Sequence, residues 1–335
     1  DAQSSLLHID RVFLHERTGS IALQTLEQDG RAVRHPELAF CTMDHIVDTL
    51  PGRGDQTLMP GGTAFIQTTR DTAKRAGIRL FDVRDPLQGI VHVISPEQGI
   101  VLPGTTVVCP DSHTCTQGAL GALAWGIGSS EAEHVLATQT LRVARPRSMR
   151  VNLEGALGAG VSAKDLMLWL IGRESASGAK GHAVEFAGAA VRALTVEARL
   201  TLCNLAVEFS AFTGMVAPDD VVFQYLAGRR FAPTGAQWEQ ALAHWRTLHS
   251  APQARFDREL NLDVSAVEPM VTWGTSPEHA LGISAAVPDP AQGRDDVSRK
   301  GMARALDYMG LQPGQRLQDL PIEAAFIGSC TNSRL

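Results

Sequence analysis

At 335 residues, 44% hydrophobic and 20% charged, the chain has apolar material for two or three packed units and too much to be disordered. A net charge of −6 without any Lys/Arg block argues against nucleic-acid partners, and no apolar run approaches the ~18 residues of a membrane span. Five scattered cysteines (Cys41, Cys109, Cys115, Cys203, Cys330) make no secreted disulfide frame and no signal-peptide pattern opens the chain, so a cytoplasmic location is expected.

In chain order, residues 6–13 read as a strand, with His15, Glu16 and Thr18 clustered where it ends, and 20–28 as a short helix. A second strand, 38–42, delivers Asp44-His45 into a loop. A Pro/Gly-rich surface stretch, 51–62, precedes a helix over 63–76 that stops at Gly77. Strands are expected at 78–83 and at 90–94, the latter with His92 inside it. The densest segment follows: a strand at 105–109 ended by Pro110, then Asp111, Ser112 and His113, then a Gly/Ala-rich run, then a helix capped by Ser130 with Glu133. Polar groups at a strand end before a glycine-rich turn are either an ordinary connection or the ligand site of an open α/β sheet.

Beyond a strand at 149–153, Ser162 caps a helix to about 172, and 182–186 is a strand. Thr195 begins a long apolar helix expected to run through Asn204 and Glu208, which puts those two side chains on one face. Helices at 219–227 and 238–248, strands at 255–264 and 271–274, a linker at 277–298, a helix at 301–309 and a last strand at 324–327 complete the reading. That last strand leads into a polar loop with Cys330 and then the end of the sequence, so the 335 residues are expected to be part of a longer chain. The alternation predicts an α/β fold with units at 1–150 and 151–275 and the opening of a third at 276–335.

Several carboxylates and imidazoles fall near strand ends: Asp44-His45, His92, Asp111-Ser112-His113, and Glu208 on its helix. A carboxylate beside an imidazole raises its pKa and fixes its tautomer, and several such couples in one cleft suit the addition and removal of water. Each residue also has a plainer reading: His92 as a core histidine, Asp44-His45 as a turn, Glu208 as a solvated side chain, Cys203 as packing.

Taken together, the segments TMDH at 42–45, QGIVHV at 88–93, DSHT at 111–114, the run 118–140, LCN through Glu208, VTWGT at 271–275 and the tail 326–334 resemble the aconitase superfamily. The likeness is closest to its isopropylmalate isomerase large-subunit branch and spans nearly the whole chain. It implies an aconitase-like multi-domain α/β/α architecture, truncated in the third domain, and a hydro-lyase that isomerises a hydroxy acid by dehydration and rehydration. Isopropylmalate isomerisation in leucine synthesis is the first reading. The alternatives are a citraconate/methylmalate or homoaconitate-type hydratase, or a cluster-free binding module.

The resemblance pairs Asp44 with His45, Asp111 with His92 and Glu208 with His113, with His45 protonating the departing hydroxyl. It assigns His15, Ser112, Asn204 and Arg334 to the substrate side. Cys330 would be the first of three thiolate ligands of a 4Fe–4S cluster, whose open iron acts as a Lewis acid. The other two belong to a C-x-x-C segment that this sequence lacks, so the chain alone is expected to be inactive and cluster-free. The carbon-bound proton would be taken by a serine on a small swivelling subunit, the expected partner. Ile46, Pro110, Gln117, Ser210 and Phe212 depart from the usual residues of that branch and leave the substrate's identity open.

Overall fold

Parallel strands covered on both faces read as unbroken apolar runs, and residues 12–14, 39–41 and 107–109 are such runs, all buried. The computed structural model describes residues 4–329. The chain opens with β1 (Ser4–His8), turns at Ile9 and Asp10 into β2 (Arg11–His15), and continues directly into α1 (Glu16–Gln28). Next come β3 (Ala39–Thr42), α2 (Gly62–Ala76), β4 (Arg79–Phe81), α3 (Val91–Glu97) and β5 (Thr106–Cys109). A 3-10 segment, Ser112–Leu120, leads to β6 (Leu123–Gly126), α4 (Ser129–Thr138) and β7 (Thr140–Ala144).

Five of these strands form one parallel sheet in the order β4-β3-β2-β5-β6, while β1 pairs antiparallel with β7. The chain thus steps outward from β2 through β3 to β4, then returns past β2 to β5 and β6. The order reverses between β2 and β5, and the crevice outside their carboxyl ends is where open α/β sheets hold ligands.

A second parallel sheet, in the order β10-β9-β8-β11, is built from β8 (Arg147–Glu154), β9 (His182–Ala187), β10 (Thr213–Val216) and β11 (Arg258–Asp263). Its helices are α5 (Ala163–Glu174), α6 (Ala189–Arg192), α7 (Val196–Asn204), α8 (Asp220–Leu226) and α9 (Ala236–Trp245). A small antiparallel pair, β12 (Met270–Thr272) and β13 (Ala280–Gly282), packs with α10 (Asp296–Met309) around Trp273, Leu306 and Leu317.

Strand alternation divides the first sheet's side chains between two cores. Val12, Leu14, Ala39, Cys41 and Val108 face Leu23 and Leu26 of α1 and Val135 and Leu136 of α4. Phe13, Phe40, Val107 and Cys109 join Met149, Val151, Val184 and Phe186 of the second sheet in one continuous core. Burying a Leu or Phe side chain is worth about 1.5–3 kcal/mol, against about 0–1 kcal/mol for an exposed ion pair. The shared core therefore dominates rim contacts such as Arg246–Asp220. β8 spans residue 150, so the chain passes the expected division within a strand.

Six expectations are corrected. The strand expected at 90–94 is the helix α3. Asp44 Oδ2 accepts the N–H of Val91 (3.0 Å) and Ser95 Oγ donates to the carbonyl of Val91 (2.6 Å), while residues 91–96 are buried all round. β-branched residues favour a strand only where a pleated neighbour receives them. The strand expected at 6–13 breaks at Ile9-Asp10, where the Asp10 carboxylate accepts the N–H of Thr106 (2.8 Å) and the chain changes sheets. The helix α4 is capped by Gly128, whose N–H donates to Glu131 (2.8 Å), rather than by Ser130. The helix α7 ends at Asn204, and Glu208 rides on turns that close with Ser210 at φ +63°. The linker at 277–298 contains β13, and α10 begins early because the Asp295 side chain accepts the N–H of Ser298. Residues 324–327 form no strand: no described strand pairs with them, and Phe326 and Ile327 are 95% and 89% exposed.

Candidate active site

His15 is the last residue of β2, Asp44 and His45 follow β3, and Asp111–His113 follow β5, so three neighbouring parallel strands deliver them to one sheet edge. α3 carries His92, and the turn after α7, a helix of the second sheet, carries Glu208.

Asp44 Oδ1 lies 2.6 Å from His45 Nδ1, and Asp111 Oδ2 lies 3.1 Å from His45 Nε2. Both ring nitrogens face carboxylate oxygens, which only accept, so the arrangement favours a proton on each nitrogen, the imidazolium form of His45. Asp111 Oδ1 is 3.1 Å from His92 Nε2, off the line of a straight hydrogen bond, and accepts the backbone N–H of His113 (2.8 Å). His113 Nε2 meets Glu208 Oε1 at 2.9 Å, and its Nδ1 is 3.2 Å from Ser112 Oγ. The expected couples Asp44–His45, Asp111–His92 and Glu208–His113 are therefore each in contact, and Asp111 links them into one chain.

Burial works against a charged His45, but the Asp111 and Asp44 carboxylates outweigh it and lift its pKa to about 10. Asp111 and Glu208 raise His113 to about 9 in the face of partial burial. Burial would raise Asp111, yet the three imidazoles it faces, His113, His45 and His92, hold it well below the usual carboxylate range.

His15 is buried and stacks on His45, ring centroids 3.7 Å apart and 14° from parallel. Its Nε2 is 2.9 Å from the carbonyl of Pro110, so that nitrogen carries the proton; the bond spans the point where strand order reverses. Burial pushes the His15 pKa down, which keeps the ring neutral against its charged neighbour.

A cavity of about 620 Å³ opens over this edge, lined by His15, Arg17, His45, Asp111, Ser112 and His113. A larger one, about 850 Å³, is lined by Lys164, Asn204, Glu208, Gly328 and Ser329 and meets the first at His113. Asn204 is held by a bond from its Nδ2 to Thr116 Oγ1 (2.8 Å), and Glu208 Oε2 is buried without a hydrogen-bond partner among the described residues. Cys330 and Arg334, expected at the metal and substrate sides, lie outside the described residues.

Sequence reasoning gave no site role to two residues. Glu16 is fully buried and accepts the backbone N–H groups of Asp44, His45 and Ile46. A Glu in the first turn of a helix reads as an ordinary favourable charge at the helix dipole, which hid it; the available signal was a carboxylate set directly after a buried strand. Arg17, exposed at the cavity rim, carried no motif at all.

The four described cysteines do not fit a cluster. Cys41, Cys109, Cys115 and Cys203 are buried, and none lines either cavity. Burial raises all four thiols, Cys115 to about 12, whereas a metal ligand is a thiolate. No described helix is long and apolar enough to cross a membrane.

The sequence model of the aconitase family (aconitate hydratase) matches residues 1–335. The chain is also 51% identical, over 332 residues, to the 3-isopropylmalate dehydratase large subunit 1 of Bradyrhizobium diazoefficiens, a match that covers 99% of this chain and 69% of that protein.

Proposed function

The chain belongs to the aconitase family, and on that footing we propose that it is a hydro-lyase, the large subunit of a 3-isopropylmalate dehydratase. The reaction interconverts 2- and 3-isopropylmalate by removing water and adding it back with hydrogen and hydroxyl exchanged. In dehydration a C–O bond and the neighbouring C–H bond break and a C=C bond forms. One proton goes to the departing hydroxyl and one to a base.

The observation that carries this reading is the placement of the His45 ring between two carboxylates at the mouth of the smaller cavity. In our reading His45 gives its proton to the departing hydroxyl as that group displaces Asp111 from Nε2. Asp111 and Asp44 then stabilise the charge that returns to the ring. His113 and Glu208 form the second couple, with His92 behind Asp111. Ser112, Asn204 and His15 bind the substrate, and the cationic rings beside Arg17 suit its two carboxylates. Arg334 is kept as a substrate residue on the resemblance alone.

Isopropylmalate dehydratases of this family use a 4Fe–4S cluster. Cys330 is the thiol this sequence would contribute, since Gly328 and Ser329 before it line the larger cavity beside Glu208. The described residues supply no set of three thiolates, so the acid–base steps above rest on the chain's own side chains. The large-subunit name of the relative implies a small-subunit partner, which would bring the base for the carbon-bound proton.

The test is to purify the protein in its full length with a small-subunit partner after anaerobic treatment with iron and sulfide. 3-Isopropylmalate is then supplied and the absorbance of its unsaturated intermediate is followed, while citraconate and homoaconitate, already unsaturated, are assayed by loss of their absorbance on hydration. Formation and decay of that absorbance with isopropylmalate is expected. Turnover of citraconate or homoaconitate alone would move the assignment within the family, and saturable binding of isopropylmalate without turnover would replace the enzyme with a binding module.

A further inference from the structure

Glu16 opens α1 directly after the last residue of β2, and the β2–β3 register sets His15 opposite Thr42. The two chain segments therefore leave the sheet side by side. Beyond Thr42 the backbone belongs to no helix or strand until Gly62. Three successive N–H groups in this stretch converge on one carboxylate: Glu16 Oε2 accepts from Asp44 (2.9 Å), and Oε1 accepts from His45 (2.7 Å) and from Ile46. A run of backbone N–H groups makes an anion-binding hollow, filled here by the chain's own side chain.

Two further ties flank this stretch and act on carbonyls. Gln88 Nε2 donates to that of Met43, and Thr57 Oγ1 to that of Ile46 (2.8 Å). Among the described residues, Glu16 is the acceptor that all three N–H groups share. Asp44, once its backbone is fixed, directs Oδ1 to His45 and Oδ2 to the N–H of Val91, the first residue of the helix that carries His92. Glu16 is fully buried, and a carboxylate is retained in such a place only where its hydrogen bonds compensate the lost water.

We propose that Glu16 is the positioning residue of the acid–base chain: it holds the backbone of residues 44–46 and thereby sets His45 between its two carboxylates and anchors the start of α3. The consequence for turnover rests on the hydro-lyase reading; the geometry does not.

The test pairs Glu16→Gln, which keeps the shape and removes the charge, with two readouts that need no turnover. NMR of ¹³C-labelled histidine follows the titration of His45, which is faced by Asp44, Asp111 and the stacked ring of His15, none of them altered. Hydrogen exchange follows the amides of 44–46. We expect the His45 titration to fall by about one unit or more and the three amides to lose protection. In the assembled enzyme kcat should fall about 10–100-fold while KM changes by less than about threefold. Should Glu16→Gln not fold, Glu16→Asp, charged but shorter, is expected to give the same changes at smaller size. A folded variant with a lower thermal midpoint but an unmoved His45 titration and unchanged amide protection would overturn the proposal. If the unaltered full-length protein, assembled with its partner, turns over no isopropylmalate, the function fails, while the titration and exchange results still decide the role of Glu16.

Discussion

Asp111 faces three imidazoles at once, with Oδ2 toward His45 and Oδ1 toward His92 and His113. Replacing it with asparagine keeps the shape and removes the charge that those rings share. We expect His45 and His113 to titrate lower, from about 10 and about 9 toward the ordinary 6.5, and turnover to fall about 10²-fold or more. Histidine NMR titrations and kcat measure both. Turnover within about threefold of the parent would take Asp111 out of the mechanism. At this scale the residue types were legible, because Asp44, His45, His92, Asp111, His113 and Glu208 are polar groups set among apolar strand and helix patterns. Their connection was not, since His113 and Glu208 lie 95 positions apart in the chain and meet only after folding.

Among the elements, the 3-10 segment Ser112–Leu120 determines how His113 is presented. His113 itself sits at φ −89°, ψ 15°, where the segment kinks, a backbone region common at active sites. The segment lies against β10 so closely that a Cβ on Gly118 would fall 1.8 Å from the carbonyl oxygen of Gly214. Backbone cannot yield as a flexible side-chain tip does. Gly118→Ala should therefore cost about 1–3 kcal/mol or more, seen as a lower denaturant midpoint with an unchanged m-value. A midpoint equal to the parent's would mean that the segment does not press on β10. The glycine-rich character of this stretch was plain from the residues alone, and so was the close approach it permits; that β10 is what approaches was not. The helix α3 failed to show itself for a related reason: its alternatives were decided by the Asp44 carboxylate, 47 residues away.

For the molecule as a whole, the same ion pairs tie stability to pH. The folded pKa values of His45 and His113 lie above the ordinary 6.5. A group whose pKa rises on folding contributes its full stability below the unfolded value and loses it as pH climbs through the folded one. The contribution is thus complete below about pH 6.5 and declines through pH 9 and 10. Asp111 acts from the acid side, since its folded pKa is depressed, and its share is lost as pH falls below the usual carboxylate range. Chemical denaturation should show a midpoint lower at pH 10 than at pH 6.5. Histidine variants at 45 and 113 should flatten that difference, and an undiminished difference would place its origin elsewhere.

The sequence by itself determined the α/β class, the family and the chemical character of the site. Buried parallel strands need unbroken apolar runs, and reactive side chains stand out against them. Tertiary structure alone decided that the couples share Asp111, that residues 91–97 coil into a helix, and that Glu16 reaches across to Asp44, His45 and Ile46. Each of these depends on a partner distant in the chain, 28 positions for Glu16 and Asp44 and 47 for Asp44 and Val91, brought near only when β2, β3 and β5 line up. Periodicity and propensity report on neighbours in the chain, whereas these contacts form between segments that become neighbours only in the fold.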